Sequence, residues 1–243
     1  MPTYRHGKDA KVLIGKYDLS PYLTEAKVSM SLETAETSTL GTSAKTYIMG
    51  QNDGTVSFSG LFDGSANAIS AIFEDIINND LTPVWTVAYD GGLTQGNSCS
   101  LGLGKQTSYE ATAPVSDVVS LNGELQVTNG VRQGVLVAAN RAITSSPDNT
   151  TGIDNTASSS NGITANLHVI ANSRSTATTV KVQHSTDNST WVDLLTFTSI
   201  GATTITSEQQ TASGTVNRYL RANTTLTAGT GSITITLSVA RRN

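Results

Sequence analysis

Disulfide bonding is closed to this chain. Its 243 residues include a single cysteine, Cys99, so no intrachain bridge can form. That argues against a small disulfide-stapled secreted domain and fits folding in a reducing cytosol. The first residues, MPTYRHGKDAKVLIG, lack the apolar core of a signal peptide. No apolar run approaches the roughly 20 residues that a membrane-spanning helix needs. Charge is sparse, at 14% of residues, and apolar content is low, at 37%, though outside the disordered range. Three sequons, at Asn149, Asn188 and Asn223, read as chance products of a Thr-rich chain without a secretion signal.

What the chain has instead is serine and threonine, together more than a quarter of its residues. Short Thr- and Val-rich runs separated by Gly, Asn and Asp indicate an all-β protein. The length suits one large or two modest domains. The net charge of −4 is unevenly placed. Residues 1–140 carry 8 Lys/Arg against 14 Asp/Glu, a net of −6, and residues 141–243 carry 7 against 5, a net of +2. The first part is therefore a poor candidate for tight nucleic-acid binding, which needs clustered cations.

Along the chain, Ala10 to Gly15 is a short apolar strand. Glu25 to Glu33 alternates, with Ala26, Val28, Met30 and Leu32 on one face. Tyr47 to Met49 and Thr55 to Phe62 flank Asn52-Asp53-Gly54, which reads as a tight turn. A helix over 65–79 follows from Ile69, Ile72, Phe73, Ile76 and Ile77 at helical spacing, with Asp63 or Ser65 as its cap and Pro83 beyond its end. Strands are expected at Val84 to Tyr89, Ser98 to Leu103, Val118 to Val127 and Val131 to Ala138. Ser145 to Gly162 is nearly free of apolar residues and reads as a linker or exposed loop. Alternation then restarts through residues 163–243 without a helix, as in a small antiparallel sandwich.

No constellation of reactive groups converges. His6, His168 and His184 are scattered, and the latter two sit inside strand patterns as hydrogen-bonded or surface imidazoles. No His/Cys cluster has metal spacing. Cys99 lies between Ser98 and Ser100, as a small buried residue does. Leu101-Gly-Leu-Gly-Lys-Gln-Thr107 fails as a phosphate loop, because Cys99 and Gln106 occupy the places that Gly and Ser/Thr should hold. Asp187-Asn188 fits an Asx-type turn between two strands rather than a calcium loop. The reading is of a non-enzyme with no catalytic residue, metal or cofactor.

The order of strand, alternating strand, Thr-rich LETAETSTLGTSAKTY, YIMGQNDGTVSFSGLFDG, one amphipathic helix and further strands is similar to that of the major tail tube proteins of long-tailed, siphovirus-like bacteriophages. The resemblance covers residues 1 to about 140. It implies a tail-tube-type β-barrel or sandwich over 1–144, a linker over 145–162, and an added outer domain over 163–243. In that outer domain KVQHSTDNSTWVDLLTF and NRYLRA resemble strands of discoidin-like, galactose-binding sandwiches, and an Ig-like sandwich fits equally. The positions carried over are Ser185, Asp187, Trp191, Arg218, Tyr219 and Arg221, as framework or as a glycan surface. The family resemblance further implies a homo-oligomeric ring, commonly a hexamer, stacked into a virion tail tube assembled in the bacterial host cytoplasm. Such a tube meets other tail proteins at its ends and passes double-stranded DNA without specific binding, away from any membrane. The alternative is a virion adhesion module with a carbohydrate-binding C-terminal sandwich.

The 32–47 segment is the natural inter-subunit arm, through Leu32, Glu33, Glu36, Thr37, Thr39, Leu40, Gly41, Lys45 and Tyr47. Fixing a backbone costs about 1–2 kcal/mol per residue. Offsetting that for ten residues takes roughly 400–800 Å² of apolar burial, more than Leu32, Ala35, Leu40 and Ala44 offer. The expectation is an arm, mobile in the free monomer, that completes its backbone pairing on a neighbouring copy.

Overall fold

The computed structural model describes residues 6–39, 41, 43–65 and 68–242. After a 3-10 turn at Gly7–Asp9 come β1 (Lys11–Ile14), β2 (Tyr17–Asp18), β3 (Leu23–Glu36), β4 (Tyr47–Leu61), α1 (Ile69–Asn78), β5 (Val84–Ala88), β6 (Ser98–Thr112) and β7 (Ser120–Ile143). There follow β8 (Asp148–Asn149), β9 (Ile153–Asp154), β10 (Ile163–Asn172), β11 (Thr178–Ser185), β12 (Val192–Thr196), β13 (Thr206–Ala212), β14 (Tyr219–Leu226) and β15 (Ile233–Arg241). The protein is all-β, with one α-helix among the described residues.

The chain forms two compact units, neither of them a continuous run. One comprises residues 22–82 and 102–131, the other 1–21, 83–101 and 132–243. This differs from the linear division expected above, into 1–144 and 163–243. The physical reason is pairing across that line: β15 bonds β7 on one side and β10 on the other. Residues 145–162 are also more than a linker. β8 and β9 both pair with β14, and Thr150 is buried, its hydroxyl accepting from the Ala222 N–H at 2.9 Å.

In the smaller unit, β3, β4, β7 and β6 lie side by side in that order. Strand alternation gives the sheet one apolar face, of Val56, Phe58, Leu121, Leu125 and Val127, all buried. Helix α1 lies over it through Ile69, Ile72, Phe73 and Ile76, with the Phe58 and Phe73 rings 6.1 Å apart. Gly123 leaves room for Phe73, whose ring sits 3.5 Å from where a Cβ would stand. Two details of the helix differ from expectation. Ala68 holds the N-cap position with no side-chain bond, because the Asp63 carboxylate instead accepts from the Ser65 N–H. Ile77 is exposed.

The Asp53-Gly54 turn is not formed. β4 runs straight through it, pairing Asp53 with Ser31 and Gly54 with Met30. Gly54 is there for closeness: a Cβ would lie 2.7 Å from Val131 Cγ2 and 2.9 Å from the Ser29 carbonyl. Gly54→Ala should cost about 1–3 kcal/mol, read as a lower denaturant midpoint at unchanged slope. Similarly β7 is one strand where two were expected. Asn129 and Gly130 interrupt the pattern with φ of 64° and 77° without ending the strand.

The larger unit is a sandwich. Its first sheet runs β13-β10-β15-β7-β6-β5-β1-β2 and its second β12-β11-β14-β8, with β9 also on β14. Between them pack Val137, Ile163, Leu167, Val169, Val180, Val182, Phe197, Leu220, Ile235 and Leu237. The opposite side of β10 is polar yet buried. Asn166 donates to the Trp85 carbonyl at 2.9 Å, and His168 is wholly buried between Thr86 Oγ1 at 2.9 Å and the Gly15 carbonyl at 2.6 Å. A carbonyl only accepts, so His168 Nδ1 carries a proton. Burial, opposed by the Gly15 bond, pushes the imidazole pKa down to about 4, so the ring is neutral at ordinary pH; Nε2 then accepts from Thr86, which in turn accepts from Ser238 at 3.0 Å.

Candidate assembly surface

The smaller unit's sheet ends in two strands with an open side. Among the described residues β3 pairs with β4 alone. At the other side β6 is fifteen residues long and its neighbour β5 only five, so distal β6 runs on past it. Unpaired strand edges are templates for another strand.

The sheet face opposite α1 is polar. Register places Glu25, Lys27 and Ser29 of β3 beside Ser59, Ser57 and Thr55 of β4, and these beside Asn122, Glu124 and Gln126 of β7. Asp53 shares this face and accepts a hydrogen bond from Gln126 Nε2. Over these paired positions of β3, β4 and β7, three carboxylates, Glu25, Asp53 and Glu124, thus stand with one ammonium, Lys27.

The described residues of the 32–47 segment belong to the β3–β4 hairpin, where 32–37 pair with 46–52. Glu36 stands opposite Tyr47, the Thr37 N–H donates to the Thr46 carbonyl at 2.8 Å, and Lys45 bridges to Glu36 at 3.0 Å. Its two strands thus partner each other within the chain, and the other side of β3 stays open among the described residues. Glu33, Thr39 and Gly41 are exposed, and Leu40 lies outside the described residues. Leu32 is exposed as well, together with Met30, Tyr47, Ile48 and Met49, the last at 79%. Met30 and Leu32 were expected on the apolar face of their strand, whereas Ile48 and Met49 were not singled out from sequence. The YIM triplet beside a polar run was the available signal.

In the larger unit the six carried-over positions fall on or beside β11 and β14. Ser185 is buried. Asp187 spends its carboxylate on its own turn, accepting from the Ser189 and Thr190 N–H groups at 2.9 and 2.8 Å and from the Ser185 hydroxyl. Those backbone bonds hold its pKa far below the usual carboxylate range. The Asx-type turn expected at Asp187 is the one observed. The Arg221 guanidinium stacks 4.3 Å from the Trp191 ring centre, and its Nε donates to Gln183. Arg218 forks onto Asp154 at 2.7 and 2.6 Å, lowering that carboxyl to about 2, and lies over Tyr219.

Among the described residues no group of His, Cys, Asp and Glu could hold a metal, and no helix is long and apolar enough to cross a membrane. Cys99 is buried, and burial pushes its thiol up to about 12.

No known family matches the sequence, and no curated protein matches it. Solved structures similar to the chain include a virion of a native gene transfer agent particle, 17% identical over 53% of this chain and 97% of that one, with a TM-score of 0.43. Another is the six-fold symmetrised baseplate of an anti-feeding prophage, 11% identical over 55% and 97%, with a TM-score of 0.45. A third is the Dit protein of phage SPP1, 11% identical over 96% and 99%, with a TM-score of 0.39. Each TM-score is too low to establish a shared fold.

Proposed function

We propose that the chain is a structural subunit of a phage-type tail, a major tail tube protein whose copies close into rings and stack into the conduit for DNA. The observation that carries this reading is the run β3-β4-β7-β6, in which β3 pairs with β4 alone among the described residues and β6 extends beyond its short neighbour β5. A subunit with one open side on β3 and another on the part of β6 beyond β5 bonds head to tail, β3 of one copy on β6 of the next. Such a contact closes into a ring when its rotation closes. Closure removes the edges that would otherwise invite aggregation.

The same closure gives the ring two surfaces. Helix α1 covers the apolar face, so the polar face with Glu25, Asp53 and Glu124 is the one left to line a lumen. Excess carboxylate there repels phosphate and lets DNA slide without sticking. The lining is non-enzymatic, and the virion tail is where such an assembly would reside, with other tail proteins at its ends. The larger unit's sandwich has no part in this scheme. Its Trp191 and Arg221 serve each other and Asp187 serves its own turn, which supports framework over glycan contact for these positions. Glycan-array binding that disappears in Trp191→Ala would reverse that assignment.

Negative-stain microscopy of the purified chain should show rings or hollow tubes, and a monomer at every concentration and salt would refute the proposal. In assembled material, replacing Asp53 and Glu124 together by lysine should convert an assembly that ignores double-stranded DNA into one that retains it in a gel-shift assay.

A further inference from the structure

Strand β4 is fifteen residues long, roughly 45–50 Å at 3.3 Å per residue, and it carries an exposed apolar surface at each end. At its start is the hairpin tip. Consecutive strand side chains point to opposite faces, so Ile48 emerges on one face and Tyr47 and Met49 on the other, at 58%, 56% and 79% exposure. At its finish Leu61 and Phe62 are both exposed, and the Phe62 N–H donates to the Val119 carbonyl at 3.0 Å. That bond brings the 113–119 connection alongside, with Val115, Val118 and Val119 all exposed.

We propose that these two surfaces are the halves of one contact between copies, the hairpin tip of one subunit seating on the Leu61, Phe62, Val115, Val118 and Val119 surface of the next along the tube. This deepens the tube reading and rests on it. A second copy is the fitting occupant for three reasons. The two surfaces have the same chemistry. They sit at opposite ends of one strand, so a single molecule cannot join them. A contact between different patches is head to tail and propagates without limit, as a stack requires, whereas a patch that met only itself would stop at a pair. The strand length also sets a ceiling on the axial repeat, roughly 50 Å and less where the strand tilts. Beyond the Lys45–Glu36 pair the tip keeps Glu33, and Asp63 and Asp117 border the other end, so stacking should strengthen as salt screens these like charges.

The test is the full-length chain carrying Met49→Cys with Val118→Cys. Both sites are exposed, and native Cys99, fully buried, stays out of the reaction. Oxidation should give a ladder of covalent multimers on a non-reducing gel, erased by reductant, while each single variant gives no ladder. A dimer formed efficiently by Met49→Cys alone would mean tip meets tip and would overturn the inference. Absence of a ladder from the double variant overturns it too. Microscopy of the same sample separates the two levels: tubes without a ladder leave the tube reading standing, whereas neither tubes nor ladder removes both. As a second measure, Ile48→Ser with Met49→Ser should melt like the parent and stack at least tenfold less readily. Unchanged stacking would count against the proposal.

Discussion

A proline in the outermost strand of the four-stranded sheet should abolish ring formation while leaving the subunit folded. β3 is bonded on one side only among the described residues. Along a strand, successive N–H groups point to alternate sides. Of Ser29 and Met30, in the regular stretch of the β3–β4 register, one therefore donates into β4 and the other faces the open edge. Proline removes the N–H and sets its ring in the way of a partner strand. Ser29→Pro and Met30→Pro should therefore give opposite phenotypes. One disrupts the hairpin and lowers the melting temperature. The other melts like the parent and stays monomeric in light scattering and negative stain. Losing two or three backbone bonds at about 0.5–1.5 kcal/mol each weakens each subunit contact by about fivefold to two-thousandfold, and the loss recurs at every contact in the ring. Intact rings from the well-folded member of the pair would refute the edge pairing.

Much of this sheet was legible in the sequence, and its limits have physical causes. The alternation at Ala26 and Val28 and the stripe at Ile69, Ile72, Phe73 and Ile76 were readable because one face of each element turns toward one neighbour, although Met30, next in the same alternation, is exposed. Asp53-Gly54 misled, because glycine serves close approach as well as turning, and only the contact with Val131 tells which. Asn129-Gly130 misled in the same way, as a positive-φ pair inside a continuous strand. Distal β6 was invisible: Lys105 to Thr112 lies where little burial imposes a pattern. The division into two interleaved units was not readable for another reason. Composition changes at residue 145, but strand pairing between β7 and β15 ignores composition.

The site was legible in part. The 32–47 segment stood out by its length and polarity, and its place on an exposed hairpin tip makes it available to a partner. The lumen-facing carboxylates were not separable from the other eleven in the first 140 residues, since facing depends on register, and register needed the pairing of Ser57 with Glu124. The apolar ends of β4 were missed because exposed and buried apolar residues look alike until the neighbours are known. Taken together, the misses concentrate on long-range pairing, and the successes on local burial periodicity.

Acid should weaken the larger unit through His168 well before most carboxylates titrate. The imidazole is wholly buried, neutral, and bonded to Thr86 and the Gly15 carbonyl, and its pKa in the fold is about 4 against an ordinary 6.5. The unfolded chain therefore binds the proton first as pH falls. Stability rises with pH wherever the unfolded state holds more protons, so the His168 contribution is complete above pH 6.5, declines from there, and is exhausted near pH 4. The full difference is about 3 kcal/mol, at 1.36 kcal/mol per unit. His184, lowered more modestly by partial burial, adds a shallower slope of the same sign. His168→Gln keeps a neutral hydrogen-bonding side chain and removes the titration. It should be less stable than the parent at pH 7.5 by about 1–3 kcal/mol, through its imperfect fit to Thr86 and Gly15. It should also lose most of its dependence on pH between 6.5 and 4.5. Denaturant melts across that window measure both, and parallel pH curves for the parent and His168→Gln would show that the buried imidazole is not the group responsible. Because Thr86, His168 and Ser238 join β5, β10 and β15 through side chains, the same protonation should appear first as loss of amide protection in β10, ahead of the sandwich core that Leu167 and Val169 fill from the other face.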